Sequence, residues 1–304
     1  MRDLLLAVLI LCCVIRAITH PWIGVLGWTV LSIMNLHQYT WALASMPVAA
    51  AMAIATMVGL LVSRDRPNFQ MSGEVAALLL FMLWVCITYG FSFSPEASFE
   101  QLKKVMKIDL MILVALVALH SRQHILGLAW ALAGSIGFFG FKGGLFTILT
   151  GGAYRVWGPS TTYIEGNNEL ALALIVIIPL VRFLQMTITN RWGKYGLTSV
   201  MLLCAAAAIG THSRGALLAI AAMGMVLWWR SERKVLMGAL LLTMAVATVA
   251  LMPDFWLSRM ESIGDYEQDG SAMGRINAWW MAWNVATSNI FGGGFEIYNE
   301  AVFL

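Results

Sequence analysis

Ten apolar runs separated by short polar joints organise this chain. They lie at about 4–15, 22–35, 41–62, 75–92, 106–119, 124–149, 169–189, 196–209, 216–229 and 235–252. Several approach the roughly 20 residues a helix needs to cross a bilayer. None alternates polar and apolar positions as a membrane β-strand does. The pattern predicts an all-α polytopic membrane protein of about nine or ten transmembrane helices. Its natural division is a helical domain over 1–252 and an outward-facing loop over 253–304.

Basic residues in the joints set the orientation. Arg64 and Arg66, Arg122, Arg191 and Lys194, and Arg230, Arg233 and Lys234 mark four joints as cytoplasmic. Alternation then puts 36–40, 93–105, 150–168, 210–215 and everything after 252 outside. The first two runs are short and divided by Pro21; they read either as two spans or as a partial hairpin. Residues 94–105 have the charge pattern of an amphipathic helix lying on the membrane surface. In the last loop a short helix is expected near Ala272–Ala286.

Only 12% of the 304 residues are charged, against about 25% in soluble domains. The net charge of +3 is too small for a nucleic-acid footprint, so no nucleic-acid partner is expected. All four cysteines lie in apolar runs and read as packing. The N-terminus lacks an Ala-x-Ala cleavage site after its apolar stretch, so it reads as a retained segment rather than a removed signal.

The candidate chemistry converges on the outer joints. Gly210-Thr211-His212-Ser213-Arg214-Gly215 breaks two apolar runs with an arginine at the hydrocarbon boundary. Arg214 is either a guanidinium snorkelling to headgroups or a planar fork that grips phosphate with two parallel hydrogen bonds. His212 beside it reads as a structural helix-end histidine or a ligand contact. The joint at 150–168 adds Arg155 among glycines that permit close backbone approach, and Asn168, which reads as the cap of the following helix. Lys142 sits late in a long apolar run; an ionisable group there is functional by default, with snorkelling as its competitor. Arg275 precedes the tryptophan-rich Ala278-Trp279-Trp280. Asp265, Glu267 and Asp269 resemble the start of a calcium loop, but Ile276 stands where such a loop places its bidentate glutamate, so calcium is not expected. No Ser/His/Asp arrangement, Cys/His pair or phosphate-binding Gly-rich lysine loop can be assembled. A bound diphosphate would therefore be neutralised by arginines rather than by a metal, and no cofactor is expected.

Taken in order, Phe141-Lys142-Gly143-Gly144, Tyr154-Arg155-Val156-Trp157-Gly158-Pro159, Asn167-Asn168-Glu169, Thr211-His212-Ser213-Arg214-Gly215 and Asp269–Arg275 resemble the O-antigen ligase and polymerase superfamily. The nearest branch is that of the O-glycosylation ligases associated with the exosortase A system. The resemblance implies a GT-C-like bundle and metal-independent glycosyl transfer. The donor would be an undecaprenyl-diphosphate-linked glycan and the acceptor a protein or lipid hydroxyl, on the periplasmic face of the bacterial inner membrane. Arg214 and Arg275 would then hold the diphosphate, with Arg155, Lys142, Asn168, Ser213 and His212 contacting donor or glycan and membrane lipids as the surroundings. The family places a histidine base later in the outer loop. None follows His212 here, so the sequence reads as C-terminally truncated.

Rival readings are a polymerase of the same superfamily, a lipid-linked oligosaccharide transporter and a non-catalytic membrane scaffold. A transporter would carry charges deep in several helices. Here only Asp109, Lys142 and Arg182 lie well inside apolar runs.

Overall fold

The apolar runs become helices. The computed structural model describes residues 2–41, 43, 44, 46–63, 71–254, 256 and 270–298, and every regular element among them is helical. The order is α1 (Arg2–Thr19), α2 (Pro21–Met34), a 3₁₀ turn (Leu36–Tyr39), α3 (Val48–Val62), α4 (Gly73–Gly90), α5 (Pro95–Ala118), α6 (Arg122–Leu149), α7 (Asn167–Thr187), α8 (Arg191–Gly210), α9 (Arg214–Arg230), α10 (Lys234–Leu251) and α11 (Gly270–Ser288). Local sequence sets many of the starts. Ser72, Ser121, Asn190 and Ser213 cap α4, α6, α8 and α9 by accepting a backbone N–H. Pro21 and Pro95 open α2 and α5, where a missing N–H costs nothing. Helices α4, α6, α7 and α8 are long and apolar enough to cross a membrane; shorter apolar helices, α2 and α3 among them, accompany these. The protein is an all-α polytopic membrane protein.

Two packed groups form the bundle. Helices α6, α7 and α8 share the largest buried cluster, centred on Leu170, Leu174, Val181, Cys204 and Ala207, with α9 against α7. Helices α1, α2 and α3 form the second, around Ala17, Leu31 and Met52. Helix α2 joins the groups by packing on α6. The α6–α8 seam is close because Gly144 faces backbone: a Cβ there would overlap the Leu203 carbonyl oxygen.

Contacts assign the joints to two ends. At one, the Thr19 carbonyl accepts from Ser63 Oγ at 3.3 Å, and Trp22 stacks on His124 at 4.7 Å. At the other, Asn35 Nδ2 donates to Ser160 O at 3.2 Å, and the Val156 N–H donates to Gly210 O at 2.9 Å. The Ser98 hydroxyl donates to Phe295 O at 2.6 Å at the joint between α4 and α5. The second end gathers joints that charge alternation assigned to one side.

Two boundaries differ from expectation. Residues 94–105 are not a separate surface helix: α5 runs unbroken from Pro95 to Ala118. Backbone hydrogen bonding is indifferent to side-chain polarity, and nothing between Lys103 and Asp109 breaks it. Lys103 instead pairs with Glu100 at 2.7 Å and lies over the Phe99 ring. The apolar run at 41–62 does not start as helix, because α3 begins only at Val48, after Pro47. The first two runs form two helices, α1 and α2, that pack on each other. The Trp41 N–H donates to Asp3 at 3.1 Å, so the start of α1 lies beside the joint that follows α2. The helix expected near 272–286 is present as α11. Arg64, Arg66, Asp265, Glu267 and Asp269, with the segment 301–304, lie outside the described residues.

His37, in the 3₁₀ turn, is buried, and its Nδ1 makes no hydrogen bond. Burial pushes its pKa below the free imidazole value. Protonation therefore favours the unfolded chain: the contribution to stability is complete above about pH 6.5 and is lost as pH falls below it. The thermal midpoint in detergent should drop between pH 7.5 and 5.5 by less in His37→Gln than in the unchanged protein. An identical drop would remove His37 from the titration.

Candidate functional site

The joint between α8 and α9 is a buried polar knot. Thr211, His212 and Ser213 are at most 6% exposed although all three are polar. Helix α8 ends at Gly210, and His212 takes the left-handed backbone with φ +55°, which turns the chain into α9. Such a conformation is uncommon outside glycine and persists where surroundings hold it. Here they do. His212 Nε2 lies 3.0 Å from Gly152 O. The Ser213 hydroxyl donates to Asn168 Oδ1 at 2.7 Å and accepts from the Ala216 N–H at 3.3 Å. Asn167 Nδ2 donates to Thr211 O at 3.1 Å. The knot thus ties together α9, the first turn of α7 and the 150–166 joint.

Asn168 is not the cap of α7. Gly166 occupies that position and makes no side-chain cap bond. Asn168 lies one residue inside the helix, where its side chain can reach sideways to Ser213. Its sequence neighbour Asn167 gave no signal beyond its place in the quoted motif. Ser213→Ala removes both the cap of α9 and the link to α7. The expected cost is about 1–2 kcal/mol of stability, read as a lower thermal midpoint; an unchanged midpoint would mean that the knot is not formed.

Arg155 and Lys142 meet at one cavity. It has a volume of about 470 Å³, and both side chains line it together with Tyr39, Phe139, Phe146 and Trp157. Lys142 lies on α6 about two turns before the helix ends. It is exposed and forms no ion pair among the described residues. Arg155 is half-buried, with its guanidinium 5.4 Å from the centre of the Trp157 ring. A cation over an aromatic face is held in position without losing its charge. The loop bearing Arg155 is closed on itself, since the Gly158 N–H donates to Glu165 O at 2.9 Å. Only glycine fits there: a Cβ on Gly158 would overlap the Ile164 carbonyl oxygen. Trp157 and Tyr39 were missed as site residues. Trp157 stood in the motif that carries Arg155, whereas Tyr39 is brought in from more than a hundred residues away and had no local signal.

Arg214 is the first residue of α9, half-buried, directly after the knot. The bonds from Val156 to Gly210 and from His212 to Gly152 hold its joint against the loop that carries Arg155. Arg275 is exposed on α11 and makes no hydrogen bond to the knot or to the cavity residues among the described residues. The structure therefore brings Lys142 and Arg155 to one cavity and His212, Ser213 and Asn168 to one knot. Arg275 joins neither.

Cations at the mouth of an aromatic-lined cavity, at one end of a membrane bundle, suit an anionic amphiphile. Comparison with known families agrees in class. Residues 199–303 match the O-antigen ligase family, which supports membership of the O-antigen ligase superfamily and glycosyl transfer of the ligase or polymerase type. Residues 1–189 match the family of unknown function DUF5935, and the chain belongs to that family. No curated protein and no solved structure matches it.

Proposed function

We propose that this protein transfers a glycan from undecaprenyl diphosphate to a hydroxyl of a protein or lipid acceptor, without a metal, on the periplasmic face of the bacterial inner membrane. The acceptor oxygen attacks the anomeric carbon, the bond from that carbon to the diphosphate oxygen breaks, and the hydroxyl proton passes to a base. Negative charge builds on the departing diphosphate. Preorganised donors aimed at such charge in a water-poor site supply a large part of catalysis. Arg214 and Arg275 grip the diphosphate in this reading, and Arg155 and Lys142 assist. Asn168, Ser213 and His212 hold the Arg214 joint in place. The exosortase-associated O-glycosylation branch is the closest fit to the ordered motifs. The observation that carries the reading is the convergence of Lys142 and Arg155 on one cavity, with Arg155 in a loop hydrogen-bonded to the joint that carries Arg214.

The test is transfer in vitro from a purified undecaprenyl-diphosphate glycan in the presence of chelator. Product on a protein or lipid acceptor is the expected result; elongation of the donor glycan alone would identify a polymerase instead. No transfer to any acceptor would overturn the proposal.

A further inference from the structure

A second large cavity adjoins the first. It lies between α2, α5 and α6, has a volume of about 490 Å³, and is walled by apolar side chains including Val25, Trp28, Met111, Ile112 and Leu132. Thr29, Ser32 and Tyr163 are its polar lining residues, and the Thr29 hydroxyl is already committed to Val25 O at 2.9 Å. Among the described residues, no lysine, arginine, aspartate, glutamate or histidine lines it.

Helix α6 and the 155–164 loop each contribute to both cavities, through different residues. On α6, Leu128 and Leu132 face the apolar cavity, whereas Phe139, Lys142 and Phe146 face the cationic one. Their spacing of three, four and seven residues puts them on one helix face. The 155–164 loop is the other element that contributes to both. Arg155, Trp157 and Pro159 line the cationic side, and Tyr163 and Ile164 line the apolar side. Asn35, at the end of α2, pins this partition by donating to Ser160 O at 3.2 Å and to Thr161 Oγ1 at 2.6 Å.

We propose that the apolar cavity takes the isoprene units nearest the headgroup of a polyprenyl diphosphate whose phosphates, gripped from the Arg214 joint, are also contacted by Lys142 and Arg155. This rests on the ligase reading and names where the donor's tail goes. The charge order fits: cations on one side of the partition, an apolar slot without ionisable groups on the other. Hydrophobic transfer does not drive the placement, because the tail leaves a bilayer as apolar as the cavity. What the slot adds is packing, which fixes the direction in which the chain leaves the diphosphate and so aligns the scissile bond. A methyl-branched chain against Trp28, Met111 and Tyr163 makes contacts that a straight acyl chain does not reproduce, so the slot selects by shape.

The test uses the full chain in phosphatidylethanolamine–phosphatidylglycerol vesicles and a glycan-free polyprenyl diphosphate bearing a photoreactive group on its first isoprene units. Crosslinks should map to 25–33 and 108–115 and be competed by undecaprenyl diphosphate but not by excess phospholipid. Ala115 lines the slot from α5, one turn beyond Met111, so Ala115→Trp, which fills it, should cut this labelling at least tenfold. Ile112→Trp repeats the test should Ala115→Trp fail to fold, judged by its thermal midpoint. Labelling confined to lipid-facing surfaces, competition by phospholipid, or full labelling of a folded slot-filling variant would each overturn the proposal. The outcomes separate it from the ligase reading. Transfer without labelling of the slot defeats only the slot; competed labelling without transfer to any acceptor defeats only the ligase reading.

Discussion

Arg214→Ala should lower glycan transfer by about 10²–10³-fold while the protein still folds and inserts. The loss follows from where the guanidinium stands. Arg214 opens α9, so the helix N-terminus and the side-chain fork both favour a negative charge at the same place. The bonds that shape the joint come from neighbours: Thr211, His212 and Ser213 hold it to Asn167, Asn168 and Gly152. Alanine at 214 leaves those bonds in place and is a better helix former than most residues. A defect confined to turnover is therefore expected, with a thermal midpoint near that of the unchanged protein. Arg214→Lys should recover little, because an ammonium is a point charge without the planar fork. Transfer rates from a saturating undecaprenyl-diphosphate donor, measured beside the thermal midpoint, check both. Normal turnover by folded Arg214→Ala would remove the central assignment of the ligase reading. A collapse of the midpoint together with activity would make Arg214 a structural residue instead.

The helices were legible because burial in lipid leaves a one-dimensional trace: each span must satisfy its own backbone and be apolar along its length. That logic fails where polarity and helicity part company. In α5, Glu96, Glu100, Lys103 and Lys104 look like a separate surface segment, yet the helix runs on through them into the apolar stretch. It fails again ahead of Pro47, where the described residues 40, 41, 43, 44 and 46 form turns and bends rather than the start of α3. The candidate cations could be chosen because charge at a hydrocarbon boundary is costly and so draws the eye. Their grouping could not be read in the same way. The bonds from Asn35 to Thr161 and from Ser213 to Asn168 link residues that lie far apart in the chain. No local pattern encodes such pairings. Asn168 shows the limit well: its position before an apolar run is that of a cap, and only the neighbouring joint reveals that its oxygen is used sideways.

Gly144→Val should have the largest effect on stability, at about 3 kcal/mol or more, and should also abolish transfer. A Cβ on Gly144 overlaps the carbonyl oxygen of Leu203, and the Leu203 Cα and carbonyl carbon lie at 2.8 Å. Backbone cannot rotate out of the way as a side chain can. Helices α6 and α8 must move apart instead, and overpacking of this kind usually costs about 1–3 kcal/mol even when side chains can adjust. Opening the seam also disturbs chemistry at its end. Phe139, Lys142 and Phe146 line the cationic cavity from α6, while α8 leads directly into the Thr211–Ser213 knot. The matched control is Gly134→Ala on the same helix, where an added Cβ meets nothing within 4 Å. Alanine there should leave the protein unchanged or stabilise it by up to about 1 kcal/mol through helix propensity. In detergent the thermal midpoint of Gly144→Val should fall by roughly 5–10 °C against that control. Equal midpoints for the two variants would mean that α6 and α8 do not meet at Gly144. The cavity, whose residues Phe139, Lys142 and Phe146 stand on the same helix, would then lose part of the scaffold that sets Lys142 beside Arg155.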